Sequence, residues 1–138
     1  MFRKALIVAA LSLVASPVLS ATHTYTCQVK SRDGLGWVPK TLQITHDTVS
    51  GHAEVMDPVI QNFNDGAPLN AQVAIDNDAR TTFAWSLRGA KDRRNQQVAN
   101  FSYCATFYEK NNKVLVTAKP LRFTNNLSGR GVCKKSVG

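Results

Sequence analysis

The feature that most constrains this chain is a period of two in its apolar residues. Tyr25, Cys27 and Val29 alternate with Thr24, Thr26 and Gln28; Leu42 and Ile44 alternate with Thr41, Gln43 and Thr45; Val73 and Ile75 alternate with Gln72, Ala74 and Asp76. Successive side chains of a strand point to opposite faces, so each stretch reads as a strand with one face in a core and the other in water. The strongest pair follows, with Phe83, Trp85 and Leu87 on one strand and Phe101, Tyr103, Ala105 and Phe107 on the next. Lys113 to Ala118, Leu121 to Thr124 and Gly131 to Cys133 continue the pattern.

Between these runs lie turn formers: Asp33-Gly34, Ser50-Gly51, Asn64-Asp65-Gly66, Asp76-Asn77-Asp78, Arg88-Gly89, Asn111-Asn112 and Ser128-Gly129. Short strands separated by turns at such intervals define an all-β chain, either an antiparallel β-sandwich or a small eight-stranded β-barrel. The predicted core is Tyr25, Ile44, Val73, Ile75, Phe83, Trp85, Leu87, Phe101, Tyr103, Phe107, Val114, Val116 and Phe123. One stretch departs from the strand pattern. Asp57 can cap and Pro58 can open a short helical turn near 58–63, with Ile60 and Phe63 on one side.

The first residues read as an export signal. Met1-Phe2-Arg3-Lys4 is a charged start, Ala5 to Val14 is an apolar run with only Ser12 interrupting, and Val18-Leu19-Ser20 supplies the small residues of a cleavage site. That run is too short to span a bilayer, which takes about twenty apolar residues. The expected organisation is therefore a signal peptide over 1–20 and a single all-β domain over 21–138, with no transmembrane segment in the mature chain and a periplasmic or secreted location. The tail from Lys134 is the stretch expected to be least ordered.

The charge is unevenly spread along the sequence. Residues 21–78 carry three basic and seven acidic side chains, a net −4, whereas residues 79–138 carry twelve basic and two acidic ones, a net +10. The segment Arg88-Gly89-Ala90-Lys91-Asp92-Arg93-Arg94 lies between the two strongest strands and is expected to project as a basic hairpin loop. Arginine pairs can hold carboxylate or phosphate in bidentate fashion. Arg88, Lys91, Arg93 and Arg94, with Arg122, Arg130 and the Lys134-Lys135 tail, are the candidate contacts for an acidic protein or a polyanionic envelope component. Sequence-specific nucleic-acid binding is not expected, because the aromatic residues alternate into the presumed core and leave no stacking platform among the cations.

Cys27, Cys104 and Cys133 allow one bridge and one leftover thiol in an oxidising compartment. Cys27 and Cys133 lie in the first and last strands, which are neighbours in closed sheets, and that pair is favoured; Cys104 with Cys133 is the rival if both face outward. His46 and His52 flank a turn and could hold a metal, with Glu54 or His23 as a third ligand, if their rings share a face. If Ile44 faces Val55, they do not. Asp76-Asn77-Asp78 lacks the glycine and distal glutamate of a calcium loop and reads as a hairpin turn. No serine stands in a glycine elbow and no histidine neighbours Cys104, so no catalytic residue, cofactor or metal is assigned. Trp37, after Gly34-Leu35-Gly36, is expected to cover one end of the core rather than to bind.

Tyr25-Thr26-Cys27, the Phe83-Ala84-Trp85-Ser86 strand and a cysteine near the C-terminus resemble the small periplasmic β-barrel inhibitors of C-type lysozyme, whose terminal strands are joined by a disulfide. The likeness stops at these residues. The spacing from Trp85 to Cys133 is longer than in that family, and Asp76 to Thr82 stands where its serine- and glycine-rich inhibitory loop would be. No membership follows. The sequence therefore predicts a non-enzymatic exported binding or inhibitor module with a basic contact surface. The alternatives are an envelope assembly factor that pairs through an edge strand and a metal-handling protein using His46 and His52.

Overall fold

The computed structural model describes residues 21–91, 94 and 96–138; the side chains of 90, 91 and 97–99 are not described. The expected signal segment, Asp92, Arg93 and Asn95 lie outside the described residues. Eight strands follow in order: β1 (Thr22–Ser31), β2 (Thr41–Asp47), β3 (Ala53–Met56), β4 (Leu69–Asp76), β5 (Arg80–Lys91), β6 (Gln97–Tyr108), β7 (Lys113–Pro120) and β8 (Leu127–Val137), with one helix, α1 (Pro58–Phe63), between β3 and β4. Each strand pairs antiparallel with the next, and β8 returns to pair with β1, so the sheet is a closed barrel. Of the two predicted architectures, the barrel is the one adopted. Closure removes the unpaired edges on which another chain would build, so pairing through a free edge strand has no basis among the described strands.

Alternation puts one side chain in two inside. Tyr25, Cys27, Leu42, Ile44, Val55, Phe83, Trp85, Leu87, Phe101, Tyr103, Phe107, Val114 and Val116 are all buried. At roughly 25 cal/mol per Å² of apolar surface, such a lining is the main favourable term in the fold. The seam between β1 and β8 requires glycine. A Cβ on Gly129 would lie 2.8 Å from methyl carbons of Val29 and Val38, and one on Gly131 would collide with the Gln28 carbonyl.

Two predicted core positions, Phe123 and Ile75, lie outside the core, and a third, Val73, is partly buried but packs against it. Phe123 is 67% exposed, because β7 ends at Pro120 and 121–124 form a loop; the eighth strand is instead Ala53–Met56. Val73 and Ile75 are only partly buried. The register shifts between them, so that Val73 opposes Phe83 but Ile75 opposes Thr82, whose hydroxyl pairs with that of Thr106. The same bulge turns Asp76 toward Thr81, whose hydroxyl it accepts at 3.2 Å. The tail from Lys134 is not loose but continues β8 to Val137.

The helix forms as its sequence requires. Asp57 accepts the Ile60 amide at 2.8 Å as N-cap, and Pro58 opens the first turn. α1 and the loop after β1 close one end of the barrel. Trp37 stacks on Phe63 with centroids 5.4 Å apart and lies 4.5 Å from Phe101, while its carbonyl accepts the Tyr103 hydroxyl at 2.9 Å. It covers the core, as expected.

Candidate functional site

The up-and-down path of the chain sorts the cations. Ser31 to Lys40, the β5–β6 hairpin and 121–126 all emerge at the α1 end, so basic residues far apart in sequence gather there. Lys30 and Arg130 stand directly opposite each other across β1 and β8, and both are exposed. Like charges in directly opposed cross-strand positions repel. Beside them, the Arg32 amide donates to the Ser128 carbonyl at 2.9 Å, fixing the start of the β1–β2 loop against β8. Lys30, Arg32 and Arg130, with Ser31, Leu115, Ser128 and Gly129, line a groove of about 550 Å³ that contains no acidic side chain.

The remaining predicted contacts separate into two groups. Arg88 is exposed on β5 where the register with β6 shifts, and Arg94 is exposed beyond it. Lys91 ends β5, but its side chain is not described, and Arg93 falls outside the described residues. Arg122 is exposed and holds φ at 75°, a left-handed conformation uncommon for an arginine. Asn100 links these two regions: its side-chain oxygen accepts the Gly89 amide at 2.6 Å and its carbonyl accepts the Leu121 amide at 2.9 Å. The Lys134-Lys135 tail, by contrast, lies at the other end of the barrel and does not join them.

That other end is built from titratable groups. Lys135 turns inward, 5.6 Å above the Tyr25 ring, and binds Glu109 at 3.0 Å and 3.2 Å. His46 is 3% exposed, packs edge-on against Phe83, and faces His23 with ring centroids 6.4 Å apart. Its Nδ1 is buried without a hydrogen-bond partner. Burial pulls the His46 pKa below the ordinary imidazole value, with His23 and Lys135 acting in the same direction against Asp76 and Asp47. Burial likewise pushes the Tyr25 hydroxyl up, opposed mainly by Lys135. For Lys135, burial acts to lower the pKa, yet hydrogen bonds and charges from Glu109 and Tyr25 outweigh it and leave it raised. At the α1 end, burial raises the Asp57 carboxyl against the amide hydrogen bonds that cap the helix.

The pairing of His46 with Ala53, and of Ile44 with Val55, separates the predicted metal ligands. His46 points into the barrel, while His52 is exposed and bonds Glu54 at 3.3 Å. The His46/His52 site is therefore not formed, since a one-residue offset in register moves a ring to the opposite face. Among the described residues, no group of three or more histidine, cysteine or acidic side chains is placed to hold a metal. Cys27 and Cys133 form the disulfide. Cys104 is exposed and unbridged on the outer face, so the rival pairing fails because Cys133 faces inward.

Lys30 and Arg32 were not among the predicted contacts, although a signal for Lys30 was present. Counting outward from the Cys27–Cys133 pair along antiparallel strands brings Lys30 against Arg130. The inward pair His23 and His46 was equally readable once β1 was set against β2. No protein-family model matches the chain, and no curated protein or solved structure matches it. The chain belongs to a class of architecture: a closed eight-stranded antiparallel barrel whose terminal strands are cross-linked and in which no described helix is long and apolar enough to cross a membrane.

Proposed function

We infer that this is an exported, non-enzymatic binding module whose α1 end takes an acidic protein or a polyanionic envelope component. The observation that carries the reading is the Lys30, Arg32 and Arg130 groove. Two of its cations are held opposite each other with no acidic side chain in the lining. A bound anion relieves that repulsion, and guanidinium groups can grip a carboxylate or phosphate through two parallel hydrogen bonds. Arg88 and Arg122 extend the positive surface along the same end. Export is supported by the charged and apolar N-terminal sequence and by a disulfide that an oxidising compartment preserves.

The test is capture from envelope extract at low and high salt by residues 21–138, compared with the double variant Lys30→Glu/Arg130→Glu. The expected result is an acidic ligand retained at low salt, released at high salt, and not retained by the variant. Retention indifferent to salt and to the charge reversal overturns the reading.

A further inference from the structure

We propose that the α1 end docks on an anionic lipid surface, with Leu35, Leu121 and Phe123 entering the headgroup boundary and Arg32, Arg88 and Arg122 lying against lipid phosphates. This rests on the basic-surface reading above and names the chemistry of its partner. Among the described residues, three of the six large apolar side chains left exposed lie on two neighbouring loops of this end: Leu35 at 65%, Leu121 at 44% and Phe123 at 67%. Each is attached to or near a cation in sequence, Leu121 and Phe123 flanking Arg122 directly.

The hydrogen bonds already described set the loops side by side. Arg32 to Ser128 joins the β1–β2 loop to the start of β8, while Gly89 and Leu121 both bond to Asn100 and bring the β5–β6 and β7–β8 connections together. Arg122, between Leu121 and Phe123, has a left-handed backbone with φ at 75°. Strain of that kind at a non-glycine residue is a reason to look for function there. Asp33 is the only acidic side chain described in the three loops.

Charge complementarity selects an anionic occupant, and the apolar tips select lipid among anionic occupants. A soluble polyanion satisfies the arginines but leaves Phe123 in water, whereas an anionic bilayer offers phosphate at the level of the cations and hydrocarbon just beneath. Apolar side chains rimmed by cations are the pattern of a protein that lies on a membrane without spanning it.

The experiment is sedimentation of residues 21–138 with vesicles of phosphatidylcholine alone and of phosphatidylcholine mixed with phosphatidylglycerol, alongside retention on immobilised heparin. The intact domain should bind only the anionic vesicles. Phe123→Ser, which leaves the charge untouched and changes an exposed side chain, should weaken vesicle binding about ten-fold without altering heparin retention. Arg122→Gln should weaken vesicle binding about five-fold. Vesicle binding unaffected by Phe123→Ser, or heparin retention with no vesicle binding, overturns the lipid proposal while leaving the basic-surface reading standing. Loss of both vesicle and heparin binding in the intact domain overturns both.

Discussion

The two ends of this barrel are closed by opposite means. At the α1 end, Trp37 lies across the core on Phe63 and Phe101, the buried Asp57 carboxyl serves as the cap of α1, and the cations are kept outside on Lys30, Arg32, Arg88, Arg122 and Arg130. At the other end, charge and titratable groups turn inward: Lys135 sits over Tyr25 with Glu109 beside it, and His46 is buried against Phe83. An aromatic cover excludes water through its apolar area, and none of these five cations is drawn inward to complete it. A cover made of a lysine, a glutamate and a histidine consumes its charges internally and makes its stability depend on pH. The difference is that one end leaves its cations on the surface, where the proposed function needs them, and the other uses its charges to hold itself together.

The largest expected effect belongs to neither end. The Cys27–Cys133 bridge spans 106 residues of sequence and ties β1 to β8 between them. Its removal as Cys27→Ser/Cys133→Ser should lower stability by about 4 to 5 kcal/mol, chiefly by freeing the unfolded chain. Urea denaturation measures it, and the loss should be the same at pH 7.5 and pH 5.5. Next comes the aromatic cover: Trp37→Ala should cost about 3 kcal/mol by the same assay, again without pH dependence. A loss that changes over that range would break the contrast, because it would tie the aromatic cover itself to a titrating group such as Asp57, whose buried carboxyl is raised.

Smaller effects sharpen the other end. Lys135→Met removes the ion pair to Glu109 and the contact over Tyr25, and should cost about 1 kcal/mol, since the pair is only partly buried. The smallest effect is a change of slope. His46 is held below the ordinary value of 6.5 by burial, so below that value the folded chain binds fewer protons than the unfolded one. Its contribution is therefore complete above about pH 6.5 and is lost as pH falls toward the folded value. His46→Leu should flatten stability across that window, while a variant with the same acid slope as the parent would exclude His46 as the cause.

Much of this fold could be read from local pattern. The alternation around Tyr25, Phe83 and Phe101 marked strands and their inner faces, Asp57-Pro58 marked the helix start, and terminal cysteines indicated how the sheet closes. The register of Ile44 against Val55 stayed open in sequence, because a one-residue shift sends a side chain to the other face and Ala53–Met56 carries too short a pattern to mark a strand. What escaped depended on single-residue events or on which strands become neighbours. One bulge sends Ile75 to oppose Thr82 and turns Asp76 toward Thr81, and the residue count alone gives no sign of it. Phe123 kept the strand alternation but lies past Pro120, where a loop begins. The split between a negative first part and a positive second part was real in sequence yet misleading in space. The barrel regroups charge by end, joining Lys30 and Arg32 from the first part to Arg130 from the second.

The central claim is that binding belongs to one end and not to net charge. The most direct test compares two double variants of equal charge change, Lys30→Glu/Arg130→Glu at the α1 end and Lys110→Glu/Lys134→Glu at the opposite end, where Lys110 is exposed in the β6–β7 turn and Lys134 on β8, by the salt concentration at which each leaves an immobilised polyanion. The expected result is early release of the first and near-parental release of the second. Equal release of both would contradict the claim and reduce the basic surface to a property of the whole molecule.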